Sequence, residues 1–167
     1  ALLLAGPASS HSSTLGNSWF RVEEDGTVRV LIELEERDVL ELFNVDPQSP
    51  EEEPRLDGAL AALPHWLKLT ADGARCPVAY DRWDRRGVRT IRIHAAARCA
   101  AGAEQLRIDW GLSSLTTLDV RSLGTVTAPG DLRHTTLFSR QTPRAEVSVR
   151  RPSATETLRR FSWLGVE

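Results

Sequence analysis

The sequence predicts an all-β fold: an antiparallel β-sandwich of Ig-like or Greek-key type, with about eight or nine strands, short helical insertions and a C-terminal helix. Three observations carry this. Apolar and polar residues alternate over short runs, turn-forming residues punctuate those runs at close intervals, and a 167-residue chain that is 41% apolar is long enough to bury one core.

The elements follow in order. Asn17 to Glu23 leads into a Glu24-Asp25-Gly26 turn, after which Val28, Val30, Ile32 and Leu34 alternate with Arg29 and Glu33, so the two runs form a hairpin. Val39, Leu40 and Phe43 fall at helical spacing within 35–43. Pro47, Pro50 and Pro54 then punctuate an acidic stretch, expected to be a mobile loop, before a short helix over 56–63. Strand patterns resume at 66–69, 75–83, 88–97, 104–110 and 115–120, and again at 124–127, 132–138 and 145–150. At the end, Ser153 stands three residues before Glu156 as a capping box, and Leu158, Phe161 and Leu164 share one face of a predicted helix over 153–167.

The net charge of −2 conceals an asymmetry. Residues 33–53 hold nine acids against Arg37 alone, whereas 144–160 hold five arginines against Glu146 and Glu156. Neither block has the character of a nucleic-acid surface. Each reads as a solvated face, the basic one with the alternative of contact with anionic lipid headgroups. The single lysine, Lys68, among 21 basic residues fits the coding bias of a bacterium with GC-rich DNA. No stretch approaches the ~18 apolar residues of a membrane helix.

Cys76 and Cys99 give the sharpest expectation. If Gly87-Val88 is a two-residue turn, Arg86 faces Arg89 and paired residue numbers sum to 175, as Cys76 and Cys99 do. The same register places Val78, Tyr80, Ile91, Ile93 and Ala95 on the cysteines' face, with a Cα separation of about 5.5 Å that a disulfide can span. The alternative is two buried free thiols. On the opposite face the register sets Asp81 beside His94, a carboxylate–imidazole pair suited to orienting a metal ligand or a base, or to an ordinary surface hydrogen bond. Gly-x-Ser-x-Gly, His-Glu-x-x-His and glycine-rich phosphate loops do not occur, so the reading is non-enzymatic.

The N-terminal Leu2-Leu3-Leu4, followed by Gly6-Pro7-Ala8-Ser9-Ser10, reads as a truncated secretion signal over 1–10 with cleavage after Ser10; an unstructured terminus or a short apolar strand is the alternative. Cleavage would leave a domain over 11–152 beginning at His11, whose α-amine and ring nitrogen form a bidentate chelate for Ni, Co, Cu or Zn. His65, His94 and His134 are the remaining imidazoles.

The two ends of the chain also carry a family resemblance: the signal-like start with His11-Ser12-Ser13, and the closing Phe161-Ser162-Trp163-Leu164-Gly165-Val166-Glu167. They resemble the exported N-terminal domain of HupE/UreJ-like membrane proteins. Asp131-Leu132-Arg133-His134 loosely matches that group's Asp-Leu-x-His turn. The resemblance implies that Leu164 to Glu167 lie at a membrane threshold, with Arg159, Arg160 and Trp163 next to the bilayer and the chain's own membrane region following. It also implies an association with nickel or cobalt transport in hydrogenase and urease maturation, although the family's metal-handling histidines belong to the membrane part. The C-terminal helix reads equally as a closure for one end of the sandwich.

The expectation from sequence is therefore an extracytoplasmic, non-enzymatic binding or sensing domain tethered to a membrane, supporting metal handling by the attached region. The alternative is a protein-interaction or adhesion module with no metal role.

Overall fold

A computed structural model describes residues 15–115 and 120–150. The predicted hairpin is present as β1 (Leu15–Val22) and β2 (Thr27–Glu35), antiparallel with Phe20 opposite Val30. Its turn closes through Glu23 N–H to the Thr27 carbonyl at 2.8 Å, with the Asp25 carboxylate accepting the Thr27 N–H at 2.9 Å. Gly26, at φ +85°, has no room for a side chain: a Cβ there would meet the Cys99 carbonyl oxygen at 2.5 Å. The alternation holds along β2, where Val28, Val30, Ile32 and Leu34 are all buried.

Helices α1 (Glu36–Leu42), α2 (Glu52–Leu60) and α3 (Leu63–Trp66) follow, and α2 and α3 lie against β5. The remaining strands are β3 (Leu67–Ala71), β4 (Ala74–Cys76), β5 (Val78–Arg86), β6 (Thr90–Arg98), β7 (Gln105–Trp110), β8 (Arg121–Ala128), β9 (Leu132–Phe138) and β10 (Arg144–Ser148). They make two antiparallel-rich sheets, one of six strands in the order β5-β6-β2-β1-β8-β9 and one of four in the order β10-β7-β3-β4. Inward residues of both sheets, including Phe20, Ile32, Ile93 and Val126 from the first and Leu69, Ile108 and Trp110 from the second, belong to a single core.

Four particulars correct the sequence reading. First, 75–83 is not one strand: Pro77, which has no N–H to give a ladder, separates β4 in the four-stranded sheet from β5 in the six-stranded one. Second, the β5–β6 connection has three residues, with Arg86 opposite Thr90; Gly87 in it takes a positive φ of 64°, and the Arg89 carbonyl accepts the Glu36 N–H at 2.8 Å. Third, β1 and β8 pair in parallel, so the larger sheet is not purely antiparallel. Fourth, the expected strand over 115–120 is not seen in its described part; Leu112–Ser114 form a short 3-10 turn, and 116–119 lie outside the described residues. The expected signal at 1–10 and helix at 153–167 also lie outside them.

The cysteine pairing is present. A disulfide joins Cys76, 2% exposed, to Cys99 across a Cα distance of 4.6 Å, tying the end of β4 to the chain just after β6 and so one sheet to the other. The predicted face is also correct, since Ile91, Ile93 and Ala95 are buried and Val78 and Tyr80 pack against the core. Two errors of register cancel. Near the turn paired numbers sum to 176, and a β-bulge between Tyr80 and Arg82 restores 175 from Tyr80 towards the cysteines.

Candidate functional site

That bulge decides the fate of the predicted carboxylate–imidazole pair. Asp81 is the extra residue, so Arg82 and not Asp81 stands opposite His94. Asp81 instead accepts a hydrogen bond from Arg82 at 2.8 Å on the exposed edge strand. The carboxylate that reaches His94 is Asp84, with Nε2 to Oδ2 at 2.7 Å, while Arg92 Nε donates to the other Asp84 oxygen at 2.6 Å. Partial burial raises the Asp84 pKa, but the hydrogen bonds from Arg92 and His94 outweigh it and hold the carboxyl below its ordinary value. The neighbours of His94 across the sheet are Leu31 and Arg82, neither of them a nucleophile.

His94 and Asp81 do border one shallow depression on the outer face of the six-stranded sheet, over the Ala79–Ala96 pair and beside Trp19 and Arg21. The imidazoles are dispersed. His94 lies on β6, His65 in α3, and His134 on β9, where its Nε2 hydrogen-bonds the Ser148 carbonyl at 2.9 Å. Among the described residues no group of three or more His, Cys, Asp or Glu side chains could hold a metal ion. His11, Arg159, Arg160 and Trp163 lie outside the described residues.

Part of the acidic block is tied to arginines of β5. Arg85 bonds Glu36 at 2.6 Å, Glu53 at 3.1 Å and also Glu52, while Arg86 bonds Glu33 at 3.0 Å. The hydrogen bond to Glu36 is the largest cause of a raised Arg85 pKa. Tyr80 donates to Asp57 at 2.6 Å, and partial burial followed by that bond pushes the phenol well above its ordinary value. These contacts fasten α1 and α2 to β5 and give the segment expected to be mobile a fixed start and end.

A more enclosed concavity lies at one end of the body, where the β1–β2, β6–β7 and β8–β9 connections gather. It encloses about 370 Å³, with Val22, Val28, Leu106 and Val149 among its apolar walls and Glu23, Glu24 and Arg150 at its rim. Its frame is fixed by backbone hydrogen bonds: Cys99 N–H to the Gly26 carbonyl at 3.0 Å, and Val149 N–H to the Glu104 carbonyl at 2.9 Å. Asp72 accepts from the Glu104 and Gln105 N–H groups at 2.9–3.1 Å, and Arg150 bonds the Glu104 carboxylate at 2.6 Å. A pocket of this size, apolar and edged by a few charges, is at the lower end of the roughly 300–1,000 Å³ range of ligand sites.

Sequence reasoning missed this pocket. Its residues are turn glycines, alanines and strand-end valines that carry no chemical signature singly, and only the meeting of connections remote in sequence makes them concave. On the outer sheet face, Leu123 and Leu137 sit opposite each other, 39% and 44% exposed, with Leu15 nearby at 60%.

No protein-family model matches the chain, and neither does any curated protein. Among the described residues no helix is long and apolar enough to cross a membrane.

Proposed function

We propose that the chain is a non-enzymatic, extracytoplasmic binding or sensing domain of a membrane protein, built as a β-sandwich of Greek-key or Ig-like type. The observation that carries this reading is the apolar pocket at the end of the body, set in a hydrogen-bonded frame and sized for a few apolar side chains. The buried Cys76–Cys99 disulfide suits an oxidising compartment, which supports placement in the periplasm or at the cell surface. The resemblance to HupE/UreJ-like proteins supports a tether through the chain's own membrane region, with Arg159, Arg160 and Trp163 close to the lipid.

Two versions of this function differ in whether metal takes part. A role in metal handling is favoured by His94, whose ring is oriented by the Asp84 carboxylate as metal-binding imidazoles commonly are, and by the chelate expected at His11. A protein-interaction role without metal is favoured by the exposed Leu15, Leu123 and Leu137 on one sheet face. Calorimetric titration with Ni, Co, Cu and Zn separates them, using protein whose N-terminus is verified as His11. Tight binding that disappears in His11→Ala and in the form starting at Ala1 assigns metal handling to the N-terminal chelate. Absence of binding in every form leaves protein interaction as the function.

A further inference from the structure

We propose that the outer face of the six-stranded sheet, over β1, β8 and β9, lies against an anionic lipid bilayer. The proposal rests on the reading of the chain as a membrane-tethered domain and names the face that it turns to the membrane.

The first argument is composition. Along these strands alternate residues point inward, where Ser18, Phe20, Ser122, Val126 and Phe138 are buried, so the residues between them form the outer face. That face carries Leu15, Trp19, Leu123 and Leu137 together with Arg21, Arg121 and Arg133. It carries no carboxylate, because none of the three strands contains an Asp or a Glu, although the chain has 23 acids.

The second argument is adjacency. Register sets Leu123 directly opposite Leu137, Asn17 beside Leu123, and Trp19 beside Leu31 of β2. The leucines and the indole are therefore direct or diagonal neighbours on a surface that spans three strand spacings, or about 14 Å, from β2 to β9. Of the five large apolar residues that stand exposed among the described residues, three, Leu15, Leu123 and Leu137, belong to this face.

The third argument is charge. Arg21 stands opposite Arg29 on one side and Thr127 on the other, and Thr127 stands opposite Arg133. Like charges set directly opposite in a sheet are destabilising. Glu23 holds Arg29 at 2.7 Å, but Arg21 and Arg133 have no hydrogen-bond or ion-pair partner among the described residues. Such a row does not stabilise the sheet by itself, and anionic oxygens laid over it would complete it.

Together these select the occupant. A bilayer with anionic headgroups offers phosphate to Arg21 and Arg133, an interfacial layer to the Trp19 ring, and acyl chains to the leucines. A second copy apposed through the same face would set arginines against arginines. The acids of the neighbouring strands cannot answer them, since Glu33 and Asp84 are bonded to Arg86 and Arg92, and Glu35 stands at the opposite end of β2, six residues from Arg29.

The test is co-sedimentation of the full, disulfide-bonded 167-residue chain with phosphatidylcholine vesicles that contain phosphatidylglycerol, against vesicles of phosphatidylcholine alone. The expected result is binding to the anionic vesicles that weakens as salt rises, and that falls about fivefold in each of Arg21→Ala and Arg133→Ala. Leu123→Asp/Leu137→Asp should abolish it, with circular dichroism showing that the body stays folded. Quenching of tryptophan fluorescence by brominated lipid should fall in Trp19→Phe, which reports the face in contact. Absence of binding to anionic vesicles overturns the proposal. Binding that is equal in the wild-type chain and these variants also overturns it, because another part of the chain then makes the contact. A photoreactive probe at position 123 that crosslinks one protein in source-cell lysate, without any vesicle binding, would overturn it in favour of a protein partner. The tether is tested apart, by alkaline carbonate extraction of the intact protein from its source-cell membranes. Release would refute the tether whatever the vesicles show, and a null vesicle result with the protein retained would refute only the lipid-facing surface.

Discussion

Trp110→Ala is expected to destabilise the domain by about 3–5 kcal/mol, the usual cost of deleting a fully buried large aromatic. Trp110 is 0% exposed and stands at the junction of the two sheets. Its ring meets Trp66 edge-on at 5.8 Å and stacks on Phe138 of β9 at 5.4 Å, and Phe138 in turn meets Phe20 of β1 edge-on at 6.1 Å. One substitution thus breaks an aromatic chain that runs from the small sheet into the large one, and the rigid strands on either side limit collapse into the cavity. Among the described residues the Trp110 indole N–H has no hydrogen-bond partner, so Trp110→Phe keeps most of the ring contact while removing that unsatisfied donor. It is expected to cost much less. Denaturant unfolding of the two variants checks both values; a loss below about 1 kcal/mol for Trp110→Ala would contradict the placement of this residue in the shared core.

Removing the disulfide is the second large effect. With Cys76 and Cys99 separated by 23 positions, the bond closes a loop whose constraint on the unfolded chain is worth about 3 kcal/mol in the chain-entropy account. The double variant Cys76→Ala/Cys99→Ala is expected to lose about that much, or roughly 10 °C of melting temperature for a domain of this size. The loss has a location as well as a magnitude. Cys99 lines the end pocket, and its N–H holds the Gly26 carbonyl at 3.0 Å. Hydrogen exchange in the double variant should therefore accelerate at the β1–β2 turn before it does in the central strands. Uniform acceleration would contradict the pinning role assigned to the bond.

Local chemistry explains which parts of this fold could be read from the chain. The β1–β2 hairpin was legible because Asp25-Gly26 has one favoured turn and β2 alternates without a fault. The disulfide was legible because turn register and cysteine spacing constrain each other, and it survived a wrong turn length because the bulge at Asp81 restored the count. The same bulge hid the real partner of His94: one inserted residue moved Asp81 out of register and left Asp84 to reach the ring, and no spacing rule marks a bulge in advance. The parallel pairing of β1 with β8 joins residues about a hundred positions apart, beyond any local pattern. Pro77 did carry a signal, the lost ladder donor, and reading it would have divided β4 from β5. The end pocket had no such mark, since glycine, alanine and valine at strand ends look alike whether they line a cavity or cap a solid core.

The most direct test of the binding account places a photoreactive amino acid at position 103, a lining residue of the end pocket, and compares it with the same probe at position 88. Val88 is 88% exposed at the tip of the β5–β6 connection and serves as the solvent control. In the disulfide-bonded protein, with a lysate of its source cells present, the account predicts a defined crosslinked product from position 103 and no defined product from position 88. Equal crosslinking from the two positions, or none from position 103, would contradict the claim that this end of the domain is where it binds.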